Sequence, residues 1–367
     1  MEMSKNQRII AFHPTIATYR IDFFNALATR ANCKIYLLMR VFTNFVDYES
    51  IRKKIEFDPQ YVFDERKEHI RSFSLRYWRI LDKEDPDVVI TFEFGSCPIM
   101  IILHRIIKRK KYKIITMCDD SPRIFDRGSI RHRLCRAICS PFLDDIIFSS
   151  KEISDRYKRK KGIGIYFPII REENKARNTY KSILEHSNSL ALKYQLSEHR
   201  VIGFVGRLAK EKNVGALIRC FSKIKTTNES LVIIGDGPER NSLEELSKEL
   251  GVEAIFTGRI EGDELYSWYN IIDIFVLPST YEPFGAVTNE ALLAGCVAVV
   301  SDRCGSKCLI SNYHNGLIYN AEDENNLSDA IVKARQFAQQ HDKEISLRAN
   351  LMEEDFSQLF NSLIRSL

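Results

Sequence analysis

Short apolar runs alternate with helix-length stretches along almost the whole chain, and the pattern occurs twice. In the N-terminal half the runs read RIIAF, CKIYLLM, PDVVITF, KIITM and DIIFSS; in the C-terminal half they begin at Val201, Leu231, Ala254, Ile274, Val297 and Gly316. Runs this short and apolar suit strands buried on both faces, and their alternation with helices points to parallel, doubly wound sheets. At 367 residues the chain exceeds one ordinary core, so two domains are expected. The expected fold class is α/β, with Rossmann-like domains at 1–170 and 200–345. Residues 171–199 are polar and largely patternless, apart from a helical piece near Tyr180 to Leu192, and read as a linker. Helical sequence runs from Asn326 onward, and residues 346–367 close the chain with an amphipathic terminal helix.

The chemistry concentrates in LPSTYEPFGAVTNEALLAG, Leu277 to Gly295. A buried strand, IIDIFVLP, runs into a turn carrying Glu282, Pro283, Phe284 and Gly285. A helix is expected from about Phe284 to Ala294, with Gly295 as its stop. A helix start gathers free N–H groups and the positive dipole end, which suits a phosphate. Glu290, eight residues after Glu282, then lies within reach of the hydroxyls of an attached ribose.

Three further segments have the same strand-to-turn form. RVIGFVGRLAKEKNVGALIRCF carries Gly206, Arg207 and Lys212; LVIIGDGPER carries Gly235; AIFTGRI carries Gly258 and Arg259. A guanidinium that forks onto phosphate oxygens and an ammonium that supplies a point charge suit a diphosphate.

The E-x7-E spacing in E-P-F-G-x4-E-A-x3-G, with VAVVSD and Gly305 after it and these segments before it, resembles family 4 of the retaining glycosyltransferases, including bacterial surface-polysaccharide enzymes. The resemblance spans about 120 residues of the C-terminal half. It implies the GT-B fold: two Rossmann-like domains facing a cleft, with the C-terminal helix crossing back to the first. It also implies transfer of a sugar from a nucleotide-diphosphate sugar (UDP-, GDP- or other) to a glycan or lipid-linked acceptor, with retention at the anomeric carbon. By the same resemblance Arg207 and Lys212 stabilise the leaving diphosphate, together with the backbone of Phe284, Gly285 and Ala286. Glu290 holds the ribose, Glu282 orients the transferred sugar, and Pro283, Gly206, Gly235, Gly258 and Arg259 line the donor site. No covalent nucleophile is assigned.

The N-terminal half resembles the family more loosely. HPTIATYRIDFFNAL offers Tyr19 and Arg20 as acceptor-side candidates but lacks the Gly-Gly pair of many members. After KIITM, where many members have His-Asp, this chain reads Cys118-Asp119-Asp120. Asp119, counted among the catalytic candidates, and Asp120 suit sugar hydroxyls, and equally suit turn formation or helix capping before Ser121-Pro122. Adjacent aspartates are not the metal-binding Asp-x-Asp pattern, so no cofactor and no obligatory metal are expected. His132, Cys135 and Cys139 fall on helical turns without a fourth ligand for zinc.

Charge separates the halves. Residues 1–170 hold 32 Lys+Arg against 21 Asp+Glu, a balance of +11, while residues 171–367 hold 22 against 28, a balance of −6. Such asymmetry fits either a first half that faces something anionic, such as membrane, lipid diphosphate or nucleic acid, or a solvated basic surface. GSIRHRLCRAICSPF, Gly128 to Phe142, is a basic amphipathic helix that either lies on an anionic membrane or packs on the core, and KRKK at Lys158 to Lys161 adds charge. No apolar run reaches the ~18 residues of a membrane span. MEMSKNQR leads into RIIAFHP without a signal-peptide pattern, and nine cysteines without a CxxC pair fit a reducing compartment. The expected location is cytoplasmic, with peripheral attachment to the inner face of the membrane. The competing readings are a non-catalytic sugar-nucleotide-binding protein and a nucleic-acid-binding protein, and no recognition motif accompanies the charge to support the latter.

Overall fold

The computed structural model describes residues 7–39, 52–63, 73–340 and 344–367. The chain forms two compact units: residues up to Arg171 together with Phe356–Leu367, and Glu172–Asp355.

The first unit is built on a sheet of seven strands: β1 (Ile9–His13), β2 (Lys34–Leu37), β3 (Gln60–Tyr61), β4 (Val88–Phe92), β5 (Lys113–Cys118), β6 (Asp145–Phe148) and β7 (Ile165–Tyr166). Their order is β3-β2-β1-β4-β5-β6-β7 and every pairing is parallel. The order reverses between β1 and β4, the place where open α/β sheets gather ligands at the carboxyl ends of their strands. Val88, Val89 and Ile90 of β4 and Ile114 of β5 have no appreciable exposure, as strands covered on both faces require. The terminal helix Phe356–Ser366 belongs to this unit, and Phe360 packs its ring near Phe23 and Phe167, with centroids 6.2 and 6.3 Å away.

The second unit has six strands: β8 (Arg200–Val205), β9 (Glu229–Ile234), β10 (Ile255–Gly258), β11 (Ile274–Leu277), β12 (Val297–Ser301) and β13 (Gly316–Tyr319). Again all pairings are parallel, in the order β10-β9-β8-β11-β12-β13, so the reversal falls between β8 and β11. Both units are therefore Rossmann-like, the expected fold class.

Three local expectations change. The stretch 171–199 is not an extended linker: it forms helices Glu173–Ser182 and Leu184–Lys193, which bury Tyr180 and pack on the second unit. Asn270 Nδ2 donates to the Tyr180 carbonyl at 3.0 Å and to Ser187 Oγ at 3.1 Å. Their buried residues are Ala176, Tyr180, Ser187, Leu190 and Ala191, a mixture in which small and polar side chains interrupt the apolar period.

The terminal helix begins only at Phe356, and residues 344–355 are irregular. A buried ion pair holds that irregular segment. Arg348 Nη1 lies 3.0 Å from Asp273 Oδ1, and Arg348 Nη2 donates to the carbonyls of Tyr269 and Ile272 at 2.9 and 2.6 Å. Part of the helical expectation, at 341–343, lies outside the described residues.

The helix after β11 is Val287–Leu293, so Phe284 to Ala286 form the turn before it, and Gly295 follows at φ +85°. Its first turn closes through Thr288 N and Asn289 N onto the carbonyls of Gly285 and Ala286, both at 3.0 Å.

Candidate functional site

The residues expected on the donor side lie at the carboxyl edge of the second sheet, on both sides of its reversal. Gly206 and Arg207 follow β8, Gly235 follows β9, Gly258 ends β10 and Glu282 follows β11. At Gly235 backbone contact excludes any side chain. A Cβ on Gly235, which has φ +138°, would stand 1.9 Å from the Gly206 carbonyl oxygen. Gly206 N donates to the Ile234 carbonyl and Gly235 N to that of Gly258, each at 2.9 Å, so the three strand ends are laced together. No side chain could be accommodated between them.

Lys212 sits in the turn that starts the helix Val214–Ile224, and its Nζ pairs with Glu282 Oε2. The loop after β8 is also tied to the loop after β11 through backbone: Thr280 N donates to the Glu211 carbonyl at 2.8 Å. Lys212 and Glu282 are mostly buried, whereas Arg207 is exposed and has no ion-pair partner among the described residues. A lysine neutralised by a neighbouring glutamate beside an uncommitted guanidinium is a local cationic surplus at the reversal point.

The Glu282 loop is held from below. Gly305 N donates to the Glu282 carbonyl at 3.2 Å and Ser306 N to that of Phe284 at 2.6 Å. A Cβ on Gly305 would come within 2.1 Å of the Pro283 carbonyl oxygen, and one on Gly285, at φ +92°, within 2.7 Å of Leu277 Cδ2. Phe284 is buried in the core, so only its backbone faces the site, while Pro283 is exposed. Arg259 pairs with Glu261, with Nε 2.9 Å from the carboxylate, and is exposed.

Glu290 is positioned by two tyrosines that the sequence did not single out. Tyr269 OH donates to Glu290 Oε2 at 3.0 Å, and Tyr180 OH donates to the Glu290 carbonyl at 2.9 Å. Tyr269 is fully buried, and burial beside the carboxylate raises its phenol pKa well above the usual range, so it stays a donor. A Tyr at that spacing from a Glu carries no sequence signature, because a fold-wide contact joins them.

The first unit brings together a separate group at the ends of β1, β4 and β5. Arg20 is almost wholly buried and pairs with Asp119, its guanidinium lying 5.6 Å from the Phe23 ring centre. It therefore orients Asp119 rather than meeting a ligand at the surface, whereas Tyr19 is exposed. Asp119 and Asp120 do not cap the next helix, whose N-cap is Ser121. Cys118 is fully buried and its thiol is raised well above the ordinary value by burial and then by Glu93 and Asp120, so it is an inert neutral group.

Glu93, missed in the sequence, completes this group. It sits just after β4 at φ +49°, and its Oε1 accepts from Asp119 N at 3.1 Å. Burial, then the charges of Asp120 and Asp119, pushes its carboxyl up to about 8. One ligand atom each from Glu93, Cys118 and Asp120 falls within 4.8 Å of the others, and burial raises the pKa of both Glu93 and Cys118.

Residues 193–344 match the model of the glycosyl transferases group 1 family. A GDP-mannose-dependent alpha-mannosyltransferase of Corynebacterium glutamicum is 38% identical over 126 residues, 34% of this chain and 28% of that protein. An alpha-monoglucosyldiacylglycerol synthase of Acholeplasma laidlawii is 31% identical over 185 residues, 48% of this chain and 46% of that protein. The matches thus span less than half the length of these curated relatives. A crystal structure of Anabaena HepE in complex with UDP superposes with a TM-score of 0.75 at 15% identity, covering 98% of this chain and 99% of that one. That likeness shows a common fold, the GT-B pair of parallel-sheet units.

Proposed function

We propose that this protein, whose residues 193–344 match the glycosyl transferases group 1 family, moves a sugar from a nucleoside-diphosphate sugar to a glycan or lipid-linked acceptor with retention of anomeric configuration. The observation that carries the reading is the Lys212–Glu282 ion pair at the strand-order reversal of the second unit, with Arg207 just after β8 and Glu290 held by Tyr269. In this reading the donor diphosphate draws the Lys212 ammonium away from Glu282, and the released carboxylate accepts hydroxyls of the sugar. Arg207 and Lys212 then face charge that grows as the nucleotide leaves, a preorganised electrostatic contribution. Glu290 accepts from ribose hydroxyls, and Glu282 sets the sugar's orientation.

Retention follows if the acceptor attacks from the face the diphosphate leaves, with the donor's own phosphate taking the proton; no side chain is assigned as a covalent nucleophile. Two cationic side chains take the role a metal plays elsewhere, so the reading requires no obligatory metal. Relatives that use GDP-mannose or make a glucosyl lipid, and a neighbour solved with UDP, support the donor class and leave base and sugar open. The acceptor class fits a role in surface-glycan or glycolipid synthesis at the inner face of a membrane. The Asp119 group of the first unit would serve the acceptor.

The test is turnover of sugar-labelled donors with a glycan or lipid-linked acceptor pool, read as nucleoside-diphosphate release and as the anomeric coupling constant of the product by NMR. The expected product keeps the donor's configuration. An inverted product would contradict retention, and release no faster than that of a Glu282→Gln variant would contradict the enzyme.

A further inference from the structure

The amphipathic segment at 128–142 turns its apolar side outward. The helix Ile130–Cys139 meets the protein through Cys135, Arg136 and Cys139. Arg136 donates to the Phe125 carbonyl at 2.7 Å and lies 3.6 Å over that residue's ring, and Cys139 is fully buried. Ile130, Leu134, Ile138 and Phe142 are 41–80% exposed. The neighbouring helix Ser96–Ile107 presents Leu103, Ile106 and Ile107, 40–60% exposed. Arg105 fastens the helix Ser96–Ile107 to the turn after Cys139, donating to the Phe142 carbonyl and lying 2.5 Å from Asp144 Oδ2. Two packed helices that share an outward aliphatic face are not the scattered single apolar residues of an ordinary surface.

The surroundings of this face are basic. Residues 103–142 hold eleven Lys+Arg and three Asp+Glu. Arg109, Arg127, Arg131 and Arg133 are exposed and have no ion-pair partner among the described residues.

We propose that this face is a docking surface for an anionic lipid bilayer: the aliphatic side chains enter the boundary between headgroups and acyl chains, and the arginines around them meet the phosphates. Charge decides the occupant. A second copy would set the same positive rim against itself, and nucleic acid would leave the aliphatic side chains in water. The proposal deepens the membrane attachment in the proposed function and rests on it for its purpose, but its test reads binding alone. It also moves the contact. Arg136 is committed to Phe125, and Lys158 to Lys161 lie on another helix, Lys151–Lys161.

The experiment is co-sedimentation of the full chain with vesicles of phosphatidylcholine, alone or with a quarter phosphatidylglycerol. Three variants are compared with the wild type: Leu134→Gln with Ile138→Gln, Arg131→Gln with Arg133→Gln, and Lys158→Gln with Lys160→Gln as a control. All these side chains are exposed, so the variants should fold, which thermal melting checks. Wild type should bind anionic vesicles at least about tenfold better than neutral ones, the first two variants should lose about fivefold or more of that binding, and the control should lose less. Equal wild-type binding to both vesicle types would overturn the proposal, as would wild-type binding in both test variants. So would light scattering that shows a dimer abolished by Leu134→Gln with Ile138→Gln while vesicles leave the protein unbound. Sugar transfer to a soluble acceptor, measured alongside, separates failure of this surface from failure of the proposed reaction.

Discussion

Lys212 and Glu282 form an ion pair that joins the loop after β8 to the loop after β11, the two strands between which the second sheet reverses its order. The pair stores a cation and a carboxylate at one point, and a bound diphosphate would separate their roles. Lys212→Ala and Arg207→Ala should each slow turnover, by about 2–4 kcal/mol of barrier, as loss of an oxyanion-type contact does. Melting temperature without ligand should barely move for Arg207→Ala. In a double-mutant cycle with Glu282→Gln, Lys212→Ala should be strongly non-additive in kcat and Arg207→Ala nearly additive, because only Lys212 touches Glu282. Near-normal kcat in both single variants would remove the cationic clamp.

The two glutamates should separate by role. Glu290→Gln should weaken binding of the free nucleoside diphosphate, and Tyr269→Phe should do so more mildly, since it removes the donor 3.0 Å from Glu290 Oε2. Glu282→Gln should leave that affinity nearly intact and lower kcat. Titration calorimetry checks the first pair and steady-state kinetics the second. Equal loss of nucleotide affinity in Glu290→Gln and Glu282→Gln would contradict the division.

The buried Arg348–Asp273 pair should be structural. Asp273 Oδ2 accepts from Val201 N at 2.8 Å, so the pair couples residues 344–355 to the start of β8. Arg348→Met leaves the aspartate buried without its cation and should cost roughly 3–5 kcal/mol, read from urea unfolding. A loss below about 1 kcal/mol would show that water or a neighbour replaces the guanidinium.

Glu93 gives a pH signature. Its pKa is raised in the fold, from the ordinary carboxylate value of 4.5 to about 8, so its contribution to stability is complete below 4.5 and is lost as pH rises from there through about 8. Relative to wild type, the melting temperature of Glu93→Gln should rise steadily from pH 6.5 to about 8 and hold its lead above that. His13, lowered to about 4 by burial, acts in the opposite sense, with stability lost as pH falls from 6.5 towards 4, so the comparison belongs above pH 6.5. Parallel melting curves over that range would refute the assignment.

Much of this was legible in the sequence because it rests on local pattern. The apolar runs marked the long strands, and the glycines at 206, 235 and 258 marked strand ends that touch. What was not legible depends on contacts between distant segments. Tyr269 reaches Glu290 only once the helix Gly262–Ile271 packs beside the helix Val287–Leu293, and Glu93 meets Asp119 because β4 and β5 are neighbours. Of the helices at 173–193 only the piece near Tyr180 to Leu192 was legible, because small and polar buried residues interrupt the apolar period. For the helix Ile130–Cys139 the period showed an apolar stripe but not whether it faced inward, since a helix can dock through Arg136 and two cysteines.

The central claim is that the second unit binds a nucleoside diphosphate through the groups around the β8–β11 reversal. Thermal shifts of wild type and Glu290→Gln against UDP, GDP, ADP, CDP and dTDP, and against their sugars, test it most directly. At 100 times its Kd a ligand that binds only the folded state adds about 2.7 kcal/mol, a shift of several degrees. At least one diphosphate should give such a shift in wild type and a markedly smaller one in Glu290→Gln. No shift with any of them, or an equal shift in both proteins, would contradict it.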